Sequence, residues 1–269
     1  MESIDLRTVR AKIDRAEHHL RDIDAALKLV LGTEPNSKMP VTFNKDYERK
    51  QLIVNLKECE PIDPALPLMI GDCIHNFRSA LDHLVYRLAL KNSAPPKAAS
   101  KTFFPIYLTK PKFDERVEKL VKPFISSSAL AEIEKCQPYR AYDVPGEADI
   151  WIISQLDIFD KHRLLVVAGQ KFAATEFTVT SPAGERFHEV ISEPKWKAME
   201  DGAEVLRFDF SQVFNPPSKM QVHIDLVTTV QLVDTGLACD GVIVQTALRQ
   251  FMSIVSAIVR DFGRDFFAE

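Results

Sequence analysis

Apolar residues recur every three or four positions along long stretches of the chain, and each such stretch is predicted to be an amphipathic helix. Shorter stretches with the same spacing predict two further helices between the long ones. The predicted helices are Asp5–Leu31, a second that ends near Lys91, Asp114–Leu120, Ser128–Cys136, Ala148–Val167 and Cys239–Phe262.

Other segments alternate apolar and polar residues, which is typical of half-buried strands. An early hairpin is predicted from Val41–Phe43 and Arg49–Leu56, with its turn at Asn44–Asp46. Phe103–Ile106 is predicted to be a short buried edge segment. Later strands are predicted within residues 174–180, 205–210 and 222–233.

This element order predicts an α+β fold, a helix-dominated bundle with a strand-rich insertion or subdomain. We expect one domain of 269 residues, with a mainly helical part at 1–168 that includes the early hairpin. The strand-rich part covers 169–236. The C-terminal helix, within 237–269, is expected to return to the helical part.

The amino-acid composition bears on the partners and the compartment that we expect for this protein. The chain has 46% hydrophobic residues, 27% charged residues and a net charge of −4, so no global charge drives binding to nucleic acid. Its four cysteines form no CxxC pair, which favours a reduced compartment. There is no secretory signal and no apolar run of roughly 18 residues. We therefore expect a cytoplasmic protein with no membrane association.

The second helix combines a clean apolar stripe with an unusual polar side. At about 100° per residue, Arg78 lies at the border of the stripe and the other polar residues sweep around the opposite side. An ordinary solvated side would favour Lys and Glu, so this enrichment indicates a polar site. The apolar stripe is Ile70, Ile74, Phe77, Leu81, Leu84, Val85 and Leu88, and the polar residues include Asp72, His75, Asn76, Ser79, Asp82 and His83.

Arg78 and His83, separated by four residues, resemble the R-x4-6-H motif of the HEPN superfamily, which consists of helical-bundle proteins that include many metal-independent ribonucleases. Ile74–Phe77 also resembles the start of a HEPN motif helix, and the resemblance covers Leu68–Leu90. It implies that Arg78 and His83 are a catalytic pair acting on RNA without metal or cofactor. It also implies a homodimer in which two copies of the motif face one another.

The chemistry of this pair is suited to RNA cleavage. A histidine that titrates near neutrality can exchange a proton with the 2′-hydroxyl or the leaving 5′-oxygen. An arginine can hold the phosphate oxygens as charge develops. Because Arg78 and His83 diverge by about 140° around the helix, their cooperation requires a second chain or a bent substrate. The supporting residues are predicted to be Asp72, His75, Asn76, Ser79, Asp82, Asp160 and His162.

A second polar stretch, Ser154–Arg163, lies in an otherwise apolar helix. One hypothesis is that Asp160 or His162 approaches the second helix and orients a histidine there. The alternative is a charged helix end facing solvent, in which Asp160 and Arg163 pair locally.

Two other functions stay open. The first is a catalytically inactive helical interaction or dimerisation module with an unidentified protein partner, in which Arg78 and Asp82 form an i,i+4 ion pair within a polar seam. The second is a metal-dependent hydrolase, although the chain has no HExxH pair. Its candidate ligands are Asp72, His75, Asp82, His83, Asp157, Asp160 and His162. The leading hypothesis is the HEPN-like RNA endonuclease, in a defence or toxin-type system.

Overall fold

The computed structural model describes residues 5–31, 41–57, 62–163, 168–180, 184–190, 197–198, 200–209 and 221–267. Within these residues the helices are α1 (Arg7–Leu31), α2 (Ala65–Lys91), α3 (Pro96–Ala99), α4 (Lys110–Leu120), α5 (Ser127–Lys135), α6 (Pro138–Ala141), α7 (Asp149–Arg163) and α8 (Val244–Phe262). A 3₁₀ turn at Pro145–Glu147 precedes α7, and a π-helical turn at Gly263–Phe267 follows α8. The strands are β1 (Val41–Asp46), β2 (Gln51–Leu56), β3 (Ala168–Thr180), β4 (Arg186–Val190), β5 (Lys197–Ala198), β6 (Glu204–Asp209) and β7 (Gln221–Leu232).

The chain divides into two compact units. The helical unit comprises Met1–Ala25, Pro64–Val167 and Leu232–Glu269, and the strand-rich unit comprises Ala26–Asp63 and Ala168–Gln231. The α+β, helix-dominated fold class is therefore confirmed. The early hairpin groups with the strand-rich unit, however, whereas the sequence places it in the helical part.

The helical unit is built around α2, which contacts both α7 and α8. All seven residues of the predicted apolar stripe of α2 are buried. Helix α8 contacts α2 within the helical unit. In the described part of the chain, no helix combines the length and apolarity needed to cross a membrane.

The strand-rich unit consists of two sheets. The first has the order β1-β2-β6, with antiparallel pairing throughout. In the second, β3 pairs antiparallel with β4 and β5 and also pairs with β7. The ring of Phe177 on β3 lies 5.3 Å from that of Phe208 on β6, so the two sheets pack face to face. Their shared core is Leu52, Val54, Leu56, Phe177, Val179, Val205 and Phe208.

Two predicted turns differ from the structure. The hairpin turn lies at residues 47–50 and not at Asn44–Asp46, because the pairing of β1 with β2 continues to Asp46 opposite Gln51. The Asp46 carboxylate then accepts the Arg49 amide at 2.9 Å and closes the turn. Helix α8 begins at Val244 and not at Cys239, because the Asp240 carboxylate accepts the amides of Thr235 and Gly236 in a turn of its own.

Two further predictions concern the end of α7 and the segment Phe103–Ile106. The predicted end of α7 near Val167 lies outside the described residues, which show the helix to Arg163. Phe103–Ile106 forms no strand, although Phe104 and Ile106 are buried as expected. Its main chain bonds to side chains of α2 instead, as described below.

The aromatic contact between the two sheets should dominate the stability of the strand-rich unit. We expect Phe177→Ala to lower the free energy of unfolding by about 3–5 kcal/mol, because it removes a buried ring that contacts Phe187 and Phe208. The matched control is Phe43→Ala, since the Phe43 ring is 41% exposed. Urea unfolding followed by circular dichroism measures both, and equal losses in the two variants would contradict the assignment.

Candidate functional site

The polar residues of α2 divide between burial and exposure. Asp72 and His75 are exposed, whereas Arg78, Ser79, Asp82 and His83 are partly buried. Asn76 is buried, and its side-chain amide donates to the Asp72 carbonyl one turn earlier, at 2.8 Å. Asn76 therefore satisfies the helix backbone locally and reaches no other element through that bond.

Arg78 and Asp82 hold the main chain of Phe104. Arg78 Nη2 donates to the Phe104 carbonyl oxygen at 2.9 Å, and the Phe104 amide donates to Asp82 Oδ1 at 2.9 Å. The two side chains also pair with each other, with Nη2 2.9 Å from Oδ1. We call this arrangement the Phe104 clamp. It confirms the i,i+4 ion pair and fixes the segment at 102–107 against α2.

The Phe104 clamp determines what Arg78 can reach. Its side chain is only 12% exposed, and its Nη1 atom is buried with no hydrogen-bond partner in the described residues. A buried guanidinium is costly unless it is paired, and here the Asp82 carboxylate and the Phe104 carbonyl supply the pairing. Arg78 is therefore engaged with neighbouring protein groups through Nη2.

The Asp82 carboxyl experiences opposing influences. Burial raises its pKa above the ordinary value, while Arg78 and the Phe104 amide act to lower it. The hydrogen bond from the Phe104 amide and the ion pair with Arg78 both use Oδ1 of Asp82. Within the described residues, Oδ2 is thus left to solvent or to a ligand.

A second polar contact joins α2 to α7. The Asp157 side chain is 4% exposed, and its two oxygens contact His75 Nδ1 at 2.8 Å and Lys161 Nζ at 2.6 Å. The contact holds the His75 imidazole against Asp157 through Nδ1. The residue that orients a histidine is therefore Asp157, one turn before the predicted Asp160.

Asp160 nevertheless contacts α2, over Gly71. A β-carbon at Gly71 would lie 2.3 Å from Asp160 Oδ1, so a side chain there would displace the carboxylate from its present position. Asp160 is therefore partly exposed and also packed against α2. His162 belongs to α7, but its side chain lies outside the described residues, as does that of Arg163.

His83 lines an open cleft of about 340 Å³ in the helical unit. Side chains of α2 form its floor, and hydroxyl-bearing residues of α1 and of the chain after α3 form its walls. We call this the His83 cleft, and its residues are Thr8, Asp82, His83, Tyr86, Arg87, Ser100 and Thr102. Arg78 is absent from this set, so the structure places only His83 of the predicted pair at the cleft.

Arg87 is the arginine that reaches the cleft, and the sequence analysis missed it. Its Nε donates to the Asp5 carbonyl oxygen at 2.6 Å, and its Nη2 lies 3.3 Å from Asp5 Oδ1. These contacts tie α2 to the start of α1. The available signal was its position four residues after His83, which places both residues on the same side of a helix.

The environment of His83 suits proton transfer. Burial is the main influence that lowers its pKa below 6.5, and Lys12 and Arg87 lower it further, while Asp82 opposes them. The neutral imidazole is therefore the dominant form near neutrality. A neutral imidazole that lines an open cleft can accept a proton from a bound hydroxyl group.

The candidate metal ligands are distributed over α2 and α7. Among the residues described, no group of three or more His, Cys, Asp or Glu side chains converges as a metal site. Asp157 and His75, both among the candidate ligands, bond to each other instead.

No family model, curated protein or solved structure matches the chain. Inference about its chemistry therefore depends on the side chains of the His83 cleft and of the α2–α7 contact.

The close approach of Gly71 to Asp160 gives a first prediction for this region. We expect Gly71→Ala to lower the free energy of unfolding by about 0–2 kcal/mol, because the cost of displacing the Asp160 carboxylate is offset by the higher helix propensity of alanine. In an Asp160→Ala background the same change should become neutral or stabilising by about 1 kcal/mol, since alanine favours helix over glycine. Gly146→Ala is the control, because nothing lies within 4 Å of its added β-carbon. A double-mutant cycle from urea unfolding tests the coupling, and additive effects would refute it.

A second prediction concerns the pH dependence of stability. Burial, with the nearby Asp72 and Asp157 carboxylates, raises the pKa of Asp160 above 3.8. Folding thus disfavours the charged form, so Asp160 makes the free energy of unfolding fall as the pH rises from about 3.8 through its folded-state pKa. Asp160→Asn removes this dependence. Its stability relative to the parent should be greater at about pH 7 than at about pH 3.5.

The measurement is thermal or urea unfolding of the parent and the variant at both pH values. Asp14→Asn, at an exposed position of α1, controls for general charge effects. A difference between Asp160→Asn and the parent that stays constant with pH would contradict the prediction.

Proposed function

We propose that the chain is a metal-independent RNA endonuclease of the HEPN type, acting in the cytoplasm as a homodimer. The observation that carries the proposal is that His83 and Arg87 line the same open cleft. A proton acceptor beside a permanently charged guanidinium is the minimum set for cleaving a phosphodiester through its 2′-hydroxyl. The motif resemblance of Arg78 and His83 supports the same class of reaction.

The reaction needs neither metal nor water. His83 accepts the proton of the 2′-hydroxyl as the 2′-oxygen bonds to phosphorus, and the bond from phosphorus to the 5′-oxygen breaks. The products are a 2′,3′-cyclic phosphate and a 5′-hydroxyl. A protonated histidine supplies the proton that the departing 5′-oxygen requires, and in a homodimer this is the His83 of the second copy.

The two arginines have different roles in this proposal. Arg87 lines the cleft, and contact of its guanidinium with the phosphate oxygens would share or replace its bonds to Asp5. Arg78 acts through the Phe104 clamp, which fixes the chain that follows Ser100 and Thr102 in the cleft wall. Direct contact of Arg78 with phosphate, as the resemblance implies, would require the Phe104 clamp to open.

A second candidate is a catalytically inactive helical module that binds a protein partner or a second copy of the chain. The observation in its favour is the engagement of Arg78 with Asp82 and Phe104, which accounts for the motif arginine without catalysis. A defence or toxin-type role is compatible with either candidate.

The decisive experiment is cleavage of a mixed-sequence RNA in the presence of EDTA. We expect His83→Ala to lower the rate roughly 100- to 10,000-fold, because a positioned acid or base contributes a factor of that size. His18→Ala, at an exposed position of α1, should leave the rate unchanged. Because the reaction needs one neutral and one protonated His83, the lowered pKa of His83 further predicts that kcat/KM is greatest below pH 6.5 and falls on both sides of that maximum.

Other outcomes separate the candidates. Cleavage that requires added metal would refute the proposed mechanism and revive the metal-dependent hydrolase. Undetectable cleavage by a folded dimer favours the inactive module. Arg78→Lys reports on the Phe104 clamp, because lysine keeps the charge but contacts the Asp82 carboxylate and the Phe104 carbonyl as a point donor. We expect it to reduce thermal stability together with the cleavage rate.

A further inference from the structure

The floor of the His83 cleft separates two kinds of side chain. On α2, Asp82 and Tyr86 are four residues apart, as are His83 and Arg87, so each pair forms a row along the helix. One row carries a carboxylate and an aromatic ring, and the other carries an imidazole and a guanidinium. Asp82 is paired with Arg78 and Arg87 with Asp5, so the two rows differ less in net charge than in hydrogen bonding. The guanidinium of the second row is a donor suited to phosphate oxygens, whereas the carboxylate of the first row is an acceptor that a phosphate cannot use.

The row formed by Asp82 and Tyr86 is suited to a nucleobase. Tyr86 is partly exposed, and no aromatic ring packs against it in the described part of the chain. Nucleobases stack on such rings in proteins that bind single-stranded nucleic acid. The unpartnered Oδ2 of Asp82 lies in the same row and can accept a hydrogen bond from a base N–H.

The hydroxyl groups of Ser100 and Thr102 add uncharged hydrogen-bond acceptors to the cleft. The Ser100 hydroxyl donates to the Lys97 carbonyl at 3.1 Å, and the Thr102 hydroxyl donates to the Ala99 carbonyl at 2.7 Å. Their donors are thus occupied, while their oxygens can still accept hydrogen bonds from a ligand. Amino and imino groups of a base are complementary to this lining.

The volume of the cleft sets the size of the ligand. A space of about 340 Å³ lies at the lower end of the range for small-ligand sites, about 300–1,000 Å³. It suits a single nucleotide and is too small for a base pair. A base in a duplex also cannot offer its face to Tyr86, because that face is stacked on its neighbours.

We infer that the His83 cleft binds one unpaired nucleotide of single-stranded RNA, with its base stacked on Tyr86 and its phosphate against His83 and Arg87. This inference rests on the proposed function for the choice of RNA, and it identifies Tyr86 as a binding residue that selects single strands.

The test measures binding separately from cleavage. The probe is a fluorescein-labelled RNA of about 12 nucleotides, 2′-O-methylated throughout so that no 2′-hydroxyl can react, with EDTA present. Fluorescence anisotropy gives the Kd for the single strand and for the same strand annealed to its complement. We expect the duplex to bind at least tenfold more weakly.

Variants at Tyr86 test the stacking. Tyr86→Leu should weaken single-strand binding roughly 5- to 100-fold, whereas Tyr86→Phe should stay within about twofold, since it retains the ring. Tyr142→Leu is the matched control at an exposed tyrosine that does not line the cleft. Tyr86→Trp provides a second measurement, because its indole fluorescence should be quenched when the RNA binds.

The outcomes distinguish this inference from the proposed function. If the Tyr86 variants behave as expected but unmodified RNA is not cleaved, the nuclease proposal fails and the nucleotide site stands. If Tyr86→Leu binds like the parent, or if duplex and single strand bind equally, the inference is overturned even where cleavage depends on His83. Equal losses in Tyr86→Leu and Tyr142→Leu overturn it as well.

Discussion

The Phe104 clamp is the interaction on which the rest of the candidate site depends. A segment with no strand partner of its own is held because both its amide and its carbonyl at Phe104 are bonded to charged side chains of α2. Hydrogen bonds of this kind contribute about 1.5–3 kcal/mol each, which is enough to order a short connection. The same segment carries Thr102, which lines the cleft, so side chains of α2 position a residue on another part of the cleft lining.

The polar residues of α2 make three separate sets of contacts. Asp72 and His75 lie where α7 approaches, with Asp157 and Asp160 as the groups that reach across. Arg78 and Asp82 order the chain around Phe104. His83, Tyr86 and Arg87 line the cleft. What looks like a single polar cluster along the sequence is therefore three contacts with different neighbours, and the third lines a cleft with space for a ligand.

Much of this arrangement could be predicted from local patterns. The seven residues of the predicted apolar stripe of α2 are all buried, because the burial of a helix follows directly from its periodicity. The Arg78–Asp82 pair followed from i,i+4 spacing. The partners of these residues could not be predicted, because Phe104 and Asp157 come from distant segments whose approach depends on packing. Arg87 was missed for a related reason, since a lone arginine near a helix end carries no signal until the cleft beside it is known. The HEPN resemblance itself stays a prediction.

The shared use of Asp82 has a spectroscopic consequence. One oxygen of its carboxylate accepts the Phe104 amide, while the residue also lines the cleft. The resonance of that single amide proton is therefore sensitive to any change in the charge or hydrogen bonding of the carboxylate. Phe104 is not among the residues that line the cleft, yet the chemical shift of its amide proton should report whether the cleft is occupied.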